Sequence, residues 1–329
     1  MQAVNEGCQS DESAAILAWL TDVLNVSKGC LAIVHRQNNP SSTHWIVEKR
    51  VDNGRERLFI KRHASPTLFS QERDALSALA PYASRDEPFA VPKMVAWSGD
   101  LNCIALEWIE GSSIGRGIRS SVGRFASGKN VNQGVEIAYR VGEWLQCLKA
   151  RTVEPPSALP HDAMLARFRE MLQSVQTASP RVLSQKSRLL RAFERGLADA
   201  QPEANCLVHN DFWFDHIWTR GDQIVVLDFG RAQVSPAGRD AVQFYCRLID
   251  MAALNPFVSG AATDDVRASF LRGYGSLDPS TSINLVWQLW TRVEQLAGLI
   301  EFSQKTAHYS VSYRIRVVAL VRQLIAIPT

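Results

Sequence analysis

Two short apolar segments that each lead into an aspartate constrain this chain more than any other feature. Residues 206–208 lead to Asp211, and residues 224–227 end directly at Asp228. Aliphatic and β-branched runs bounded by turn residues are typical of strands, and the polar residues 220–223 between them predict a hairpin-like pair. Each aspartate then lies where a buried strand opens into a loop, and a carboxylate there stays ionised because solvent or a cation can reach it.

The residues around these aspartates form two motifs, which are His209-Asn210-Asp211-Phe212-Trp213-Phe214-Asp215-His216 and Asp228-Phe229-Gly230. They resemble the catalytic and metal-binding loops of the protein-kinase-like fold, in the branch of aminoglycoside phosphotransferases, choline kinases and related small-molecule kinases. In that branch the first motif is often His-Gly-Asp-Phe-x-x-x-Asn. The resemblance implies that Asp211 orients or deprotonates an acceptor hydroxyl. It also implies that Asp228 holds magnesium bridging the phosphates of ATP or GTP.

His216 departs from the family pattern, because it stands where the family usually has a metal-binding asparagine. Imidazole suits manganese or zinc better than magnesium, which prefers oxygen donors. Three interpretations are open: an active kinase in which His216 is a metal ligand and Mn2+ can replace Mg2+, an active kinase in which His216 only orients Asp211, and a catalytically impaired nucleotide-binding pseudokinase or scaffold. The presence of both Asp211 and Asp228 favours the active interpretations.

A lysine and a glutamate upstream form the next candidate pair. Residues 45–51 and 57–61 flank an Asn-Gly turn, which predicts a hairpin with Lys61 at a strand end. Residues 69–79 have the apolar spacing of a helix, with Glu72 in its first turn. Taken alone, Lys61 would be a solvated charge and Glu72 would complement the helix dipole. The resemblance implies instead that Lys61 contacts the nucleotide phosphates and that Glu72 pairs with it.

Two further segments are candidates for nucleotide contacts. Residues 102–111 begin as a buried strand, end at a glycine and are similar to the segment that joins the two lobes in the family. Adenine would bond there to main-chain groups around Glu107 and Trp108. Residues 37–44 form a predicted turn without glycine, in which Ser42 is a candidate phosphate contact. Serine, threonine, asparagine and proline are also ordinary turn residues.

The residues that follow Asp228 indicate the class of acceptor. Only residues 231–239 separate Gly230 from Asp240, which leaves no room for the long activation segment on which protein kinases bind a peptide. We therefore expect a small-molecule acceptor. Asp240 is a good helix N-cap, and the resemblance implies that it also braces the catalytic loop.

The distribution of patterns along the chain predicts the fold. A β-rich first third is followed by helical periodicity from residue 135 onwards, which predicts an α+β fold. With the resemblance, this becomes a two-lobed protein-kinase-like fold. The nucleotide-binding lobe would span residues 1–107, including an opening helix at residues 11–24. The helical lobe, with both loops, would span residues 108–329. Tryptophans 287 and 290 lie at helical spacing and are predicted to belong to the core.

A basic segment at residues 111–130 contains four Lys or Arg residues, no acidic residue, and many glycines and serines. One interpretation is a mobile surface insertion. The alternative is a basic flap over an anionic acceptor or near a membrane surface.

Whole-chain properties limit the partners and the compartment. The formal net charge is +3 over 329 residues, without a basic stripe interleaved with aromatics, so nucleic acid is not an expected partner. A small excess of basic residues in the C-terminal half argues mildly against a polycationic acceptor. Sugars, nucleosides, amino alcohols, aminoglycoside-like compounds and phosphorylated envelope precursors stay open.

Localisation is predicted from what the sequence lacks. No run of eighteen apolar residues is present and the first residues contain neither a basic region nor a continuous apolar stretch, so neither a membrane span nor export is expected. Six scattered cysteines, without disulfide or zinc spacing, are typical of a reducing compartment. We therefore expect a cytoplasmic protein.

Overall fold

A computed structural model gives the structure of the chain. It describes residues 3–27, 29–52, 54–83, 89–123, 126–156, 159–176, 180–201, 204–254, 258–275, 277–278, 280–306 and 311–327. The chain packs as two compact units. The first contains residues 1–112 and 219–232, and the second contains residues 113–218 and 233–329.

Ten helices and eleven strands follow one another within the described residues. The helices are α1 (Ala3–Val23), α2 (Pro66–Leu79), α3 (Ile114–Ser121), α4 (Gly128–Arg151), α5 (His161–Gln176), α6 (Pro180–Asp199), α7 (Gly238–Leu254), α8 (Gly260–Tyr274), α9 (Ser282–Thr306) and α10 (Val311–Ala326). The strands are β1 (Leu31–Asn39), β2 (Ser42–Val51), β3 (Gly54–His63), β4 (Phe89–Ala90), β5 (Met94–Ser98), β6 (Cys103–Glu107), β7 (Ser112–Ser113), β8 (Asn205–Val208), β9 (Ile217–Arg220), β10 (Gln223–Val226) and β11 (Gln233–Pro236).

The first unit is built on a five-stranded antiparallel sheet in the order β1-β2-β3-β6-β5. Its inner face carries Trp45 and Ile60, both without exposed surface, and these pack with Ile16 and Leu20 of α1. Burying such aliphatic and aromatic side chains is the main stabilising contribution to a sheet of this kind. The opening helix therefore packs on the sheet, as predicted. The predicted hairpin β2-β3 is also present, although Asn53 in its turn lies outside the described residues.

The two aspartate-terminated segments are strands, but the predicted pairing between them is wrong. β8 pairs antiparallel with β11, so that Val208 lies opposite Gln233. β10 instead joins a second sheet in the order β4-β10-β9-β7, in which β4 and β10 run parallel. The turn predicted at residues 220–223 does exist, but it joins β10 to β9, a strand that the sequence pattern did not reveal. Gly221 has a φ of +58° in this turn, a conformation that glycine adopts without steric cost.

The second unit is dominated by helices. Its largest core cluster combines α5, α6, α7, α9 and α10, and includes Phe168, Phe193 and Trp287. The rings of Phe168 and Phe193 stack with centroids 3.9 Å apart. The predicted core position of Trp287 is confirmed, since only 2% of its surface is exposed. Helices α5 and α10 were not predicted.

The basic segment at residues 111–130 contains regular secondary structure, in contrast to the predicted surface insertion. Residues 114–121 form α3, whose Ile114 and Ile118 are buried, and Ser113 caps it by accepting a hydrogen bond from the Gly115 amide. Helix α4 begins at Gly128. The apolar side of α3 explains why the segment folds as it does. Arg124 of the predicted flap lies outside the described residues.

The α+β class and the order of a β-rich part followed by a helical part are confirmed. Residues 219–232 belong to the first unit because β10 pairs with β4, whereas the predicted lobe bounds, 1–107 and 108–329, assign them to the second lobe. The assignment of residues 1–107 to a nucleotide-binding lobe and of residues 108–329 to a catalytic lobe stays a prediction. Within the described residues, no helix combines the length and apolar character needed to cross a membrane.

Candidate active site

Lys61 holds two carboxylates in the first unit. Its Nζ atom lies 2.7 Å from Oε2 of Glu72 and 2.6 Å from Oδ1 of Asp228. Burial lowers the pKa of the Lys61 amine, but the charges of Glu72 and Asp228 outweigh it and raise the pKa above its usual value. The predicted Lys61–Glu72 contact is therefore present, and the lysine is a cation at neutral pH.

Glu72 is fully enclosed, with 1% of its side chain exposed. Burial raises the pKa of its carboxyl group, yet the charge of Lys61 and the hydrogen bond from His63 bring the pKa below its ordinary value. The predicted position in the first helical turn is wrong, because α2 begins at Pro66 after the N-cap Ser65. Glu72 thus lies in the second turn, where the helix dipole contributes little. The ion pair with Lys61 is what stabilises a glutamate at this buried position.

His63 completes this cluster and was not predicted. It lies two residues after Lys61 on β3, so both side chains point to the same face of the strand. Its Nε2 atom is 2.8 Å from Oε2 of Glu72, and only 2% of its side chain is exposed. A Lys-x-His spacing at the end of a strand was the available signal. A Cβ at Gly230 would lie 3.4 Å from Asp228 Oδ1 and 3.5 Å from Glu72 Oε2, so this glycine packs closely on the cluster.

Asp228 follows β10 with a backbone conformation that is unusual for a residue with a side chain. Its φ is +65°, in the left-handed region. Such conformations cost about 1–3 kcal/mol and persist where the surrounding structure holds them, often at functional sites. About 40% of the Asp228 side chain is exposed, in contrast to Glu72. The carboxylate is therefore accessible from solvent while it is held by Lys61.

Ser42 and the turn before it differ from the prediction. Strand β1 extends to Asn39 and β2 begins at Ser42, so the turn is only Pro40–Ser41, and the predicted eight-residue turn is wrong. Ser42 is buried, and its Oγ lies 2.8 Å from Nε2 of His44. Burial, followed by the charge of Lys61, lowers the pKa of His44 to about 4. The Ser42 hydroxyl thus has a protein partner, and its proposed phosphate contact stays a prediction.

Glu107 and Trp108 use their main-chain amides within the first unit. The Glu107 amide donates to the carbonyl oxygen of Lys93 at 2.9 Å, and the Trp108 amide donates to that of Arg57 at 3.3 Å. These two donors serve the sheet around β6. If the nucleotide base binds at this position, it can use only main-chain carbonyl oxygens of Glu107 and Trp108 as acceptors. Main-chain donors would have to come from residues closer to Gly111. A Cβ at Gly111 would overlap the main chain of Thr219, which explains the glycine there.

The loop that contains Asp211 belongs to the second unit and is held from below by Asp240. The amides of His209 and Asn210 donate to the Asp240 carboxylate at 2.6 and 2.9 Å. Burial raises the pKa of Asp240, while His209 and the two backbone hydrogen bonds act in the opposite direction. Asp240 lies in the first turn of α7, which begins at Gly238, so the N-cap prediction is wrong and the brace prediction is confirmed.

Within the loop, Asn210 takes the place of the glycine that is common in the family. Its φ is +65°, a conformation that glycine and asparagine adopt more readily than other residues. The amide of Asp211 donates to Nδ1 of His209 at 3.3 Å, and that of Phe212 donates to Oε1 of Gln243 at 2.7 Å. Successive amides of the loop are therefore fixed by side chains.

His216 closes the loop on itself, since its Nδ1 lies 3.0 Å from the main-chain oxygen of Asp211. One ring nitrogen is thus engaged by the backbone, and a metal could be bound only through Nε2. The geometry favours the interpretation in which His216 orients Asp211. Its role as a metal ligand stays a prediction.

Arg247 lies beside the loop and was not predicted. Its guanidinium carbon is 4.2 Å from the centroid of the Trp213 ring, within the range of a cation–π contact. Burial lowers the pKa of Arg247 to about 10, and the charge of Asp211 opposes this change. The arginine therefore remains charged at neutral pH and brings a positive potential to Asp211. Its position on α7, far from the motif in sequence, left no local signal.

The Asp228 carboxylate fits a metal ion that is bound jointly by the protein, phosphates and water better than an ion that is bound by protein side chains alone. Among the described residues, no group of three or more His, Cys, Asp or Glu side chains could hold a metal ion. Magnesium is commonly bound by one or two carboxylates together with phosphates and waters, and the accessible Asp228 carboxylate suits that arrangement.

Solved structures with the same fold come from several kinases. The chain is similar to a glucosamine kinase (15% identity, 90% of this chain and 94% of that chain covered, TM-score 0.59). It is also similar to APH(2'')-IIa in its gentamicin complex (14%, 95% and 96%, 0.59) and to a choline/ethanolamine kinase family protein from Mesorhizobium loti (13%, 96% and 94%, 0.61). Among curated proteins, none matches the sequence. These structural likenesses define the class, a protein-kinase-like fold.

Residues 46–290 match the APH phosphotransferase enzyme family, which is most of the chain. The chain therefore belongs to this family, and the predicted resemblance is confirmed.

Proposed function

We propose that this protein is a small-molecule kinase that transfers the terminal phosphoryl group of ATP, or of GTP, to a hydroxyl group of a small acceptor. The observation that carries the proposal is the contact of Lys61 with both Glu72 and Asp228, at 2.7 and 2.6 Å. A buried lysine oriented by one carboxylate beside a second, accessible carboxylate is suited to binding phosphates and their cation. Membership of a phosphotransferase family supports the same conclusion.

In this mechanism the first unit binds the nucleotide. Lys61 donates to phosphate oxygens, and Glu72 and His63 fix the direction of its side chain. Asp228 would hold magnesium, and the ion would supply positive charge to the phosphates. The adenine or guanine ring binds to main-chain groups between Glu107 and Gly111 and not to side chains. The choice between ATP and GTP therefore depends on the geometry of the backbone there.

The second unit supplies the base. Asp211 accepts the proton of the acceptor hydroxyl as the hydroxyl oxygen forms a bond to the terminal phosphorus. The bond from that phosphorus to the bridging oxygen breaks in the same step, and the nucleoside diphosphate leaves. Asp240 holds the loop through the amides of His209 and Asn210, and His216 holds it through the carbonyl oxygen of Asp211. These contacts keep Asp211 in one position, and positioning is the main contribution that a protein makes to phosphoryl transfer.

The acceptor is a small, neutral or anionic alcohol. The segment between Gly230 and Asp240 is short, and residues 233–236 are paired with β8, so this segment offers no platform for a peptide. Arg247 brings positive charge to the neighbourhood of Asp211, which disfavours a polycation by electrostatic repulsion. Solved structures named for glucosamine, gentamicin and choline or ethanolamine support the hydroxyl group of the acceptor but not its charge, because each of these compounds is cationic.

Calorimetry with ATP and Mg2+ or Mn2+, together with a phosphate-release assay and an acceptor screen, tests the proposal. We expect metal-dependent binding of ATP and turnover with an alcohol acceptor. Asp211→Asn should keep nucleotide binding and lose about 100-fold or more of the turnover, since a general base contributes on that order. Asp228→Asn should lose the dependence of binding on metal. Asp222→Asn, at an exposed position in the β9-β10 turn, is the control.

Two outcomes would contradict the proposal. The first is full turnover in Asp211→Asn. The second is binding of ATP that does not depend on metal, without turnover for any acceptor, which would support the nucleotide-binding scaffold.

A further inference from the structure

A cavity of about 420 Å³ lies within the second unit, away from the loop that contains Asp211. It is lined by α5, β11 and α9 and by the first turn of α7, and none of residues 209–216 contributes to it. A volume of this size is within the range of natural ligand sites, about 300–1,000 Å³. Apolar side chains form one part of its wall, notably Leu159, Met164 and Val234.

Arg239 gives this cavity a positive charge. Its guanidinium carbon lies 5.1 Å from the ring centroid of Trp287 and 5.6 Å from that of Trp290. Within the part of the chain that the structure describes, no carboxylate lies within salt-bridge distance of it. Burial lowers the pKa of Arg239, and the more distant charges of Glu294 and Asp240 only partly oppose this. A desolvated cation without an ion pair is costly, and contacts with aromatic rings offset only part of that cost.

The position of Arg239 on its helix adds to this charge. Arg239 is the second residue of α7, where the helix dipole is positive and an acidic residue would be favourable. A cation at this place is therefore not explained by helix stability. It is explained if a negative group is to be bound nearby.

Two tryptophan side chains line the same cavity beside Arg239. The Nε1 atoms of Trp287 and Trp290 are buried and have no hydrogen-bond partner among the described residues. Only 2% of Trp287 is exposed, so solvent does not satisfy its N–H group. Leaving a buried donor unsatisfied is costly, and natural proteins contain few such groups. The rings of both tryptophans therefore line the cavity beside Arg239, whereas their N–H groups are enclosed by protein.

We propose that this cavity binds a small organic anion. Its carboxylate or phosphate group accepts hydrogen bonds from Arg239, and its apolar body packs against Leu159, Met164 and the rings of Trp287 and Trp290. None of Lys61, Asp211 and Asp228 lines this cavity, so the inference does not depend on the proposed kinase activity.

Indole N–H signals of the full-length, 15N-labelled protein provide the test. Phenyl phosphate and phenylacetate are the two anionic probes, and phenylacetamide is the neutral control of the same shape. The signals of Trp287 and Trp290 are assigned from the Trp287→Phe and Trp290→Phe variants. We expect one or both anions to shift these two signals in a saturable manner, while phenylacetamide leaves them unchanged. The anion that shifts them distinguishes a carboxylate site from a phosphate site.

Two variants and one control make the test specific. Arg239→Gln should weaken binding of the anion about tenfold or more, which corresponds to about 1.4 kcal/mol. Arg191→Gln, at an exposed position on α6, should bind as the wild type does. Ala163→Phe places a bulky side chain at an exposed position of the cavity wall and should block binding without removing a buried charge, which keeps the test valid if Arg239→Gln does not fold. The inference is overturned if neither anion shifts the two signals, or if Ala163→Phe or folded Arg239→Gln binds as tightly as the wild type.

Discussion

The Nδ1 atom of His216 lies 3.0 Å from the main-chain oxygen of Asp211. The last residue of the motif is thereby tied to the proposed base, across five positions of the chain. In a family whose pattern has asparagine at this position, the histidine performs at least one task that an asparagine side chain can also perform, because an amide can donate to the same carbonyl oxygen.

The His216 contact predicts different results for two substitutions. His216→Ala removes the hydrogen bond and should lower kcat about tenfold, because small displacements of a catalytic group reduce turnover strongly. The Kd for ATP, measured by calorimetry, should not change. His216→Asn should restore most of kcat. If both variants lose turnover equally, the hydrogen bond is not what matters at this position.

Metal preference tests the remaining role of His216. If His216 only positions Asp211, the ratio of kcat with Mn2+ to kcat with Mg2+ is the same in the wild type and in His216→Ala, whose side chain cannot bind a metal. A marked fall of this ratio in that variant would show that Nε2 binds the ion, since nitrogen donors favour manganese over magnesium.

Glu72 should act on nucleotide binding through Lys61. Glu72→Gln keeps the shape of the side chain but removes its charge, so that Lys61 and His63 lose the carboxylate they share. We expect the KM for ATP to rise about tenfold, with a smaller fall in kcat, because an ion pair to a buried lysine is lost. Asp74→Asn, on the exposed side of the same helix, is the matched control. Equal KM values for Glu72→Gln and the wild type would exclude this role.

The left-handed backbone of Asn210 predicts an order of stability for substitutions. Asn210→Gly should be tolerated, whereas Asn210→Val should reduce the free energy of unfolding by about 1–3 kcal/mol, because a β-branched residue is strained at positive φ. Urea unfolding measures the difference. The same order is expected at Asn102, whose φ is +49° and which lies outside both motifs. A valine as stable as the glycine at position 210 would contradict the assignment of this conformation.

The lowered pKa of His44 predicts a pH dependence of stability. Burial and the charge of Lys61 favour the neutral ring, so the folded protein has a pKa of about 4 here against an ordinary value of 6.5. The unfolded chain therefore binds more protons between these values. Stability from this group is complete above pH 6.5 and is lost as the pH falls towards 4.

Replacement of the histidine isolates this contribution. The free energy of unfolding of His44→Asn, from urea titrations at a series of pH values, should fall less between pH 6.5 and 4 than that of the wild type. His35→Asn removes an exposed histidine from the neighbouring strand β1 and is the control. Identical pH profiles for His44→Asn and the wild type would show that His44 does not titrate in this way.

Local patterns were sufficient for the parts of the site that depend on neighbouring residues. The β2-β3 hairpin follows from its turn and its alternating residues, and it brings Lys61 to the face of the sheet opposite to the one that carries Ile60. The contact with Glu72 required only that the next helix pack on that face. Periodicity likewise predicted that helices dominate the chain from residue 135 onwards, although not where each helix begins and ends.

Features that depend on distant partners could not be predicted. The pairing of β8 with β11 joins residues that lie more than twenty positions apart, and nothing in either strand specifies the other. The start of α2 was misplaced because Ser65 and Pro66 precede the periodic residues. Arg247 and Arg239 reach their sites only through the packing of α7, so their spacing along the chain carries no indication of what they contact.

The double ion pair of Lys61 has a consequence for selectivity. The Lys61 amine already forms ion pairs with Glu72 and Asp228. A polyphosphate that binds to it would replace one of these ion pairs by another, so the net gain in binding free energy would be small. Simple anions, which bring no divalent ion to occupy the displaced Asp228, have still less to gain. Lys61 therefore contributes more to selectivity between anions than to their affinity. A complex of metal and nucleotide would compensate both side chains, because its phosphates would bind Lys61 and its metal ion would bind Asp228.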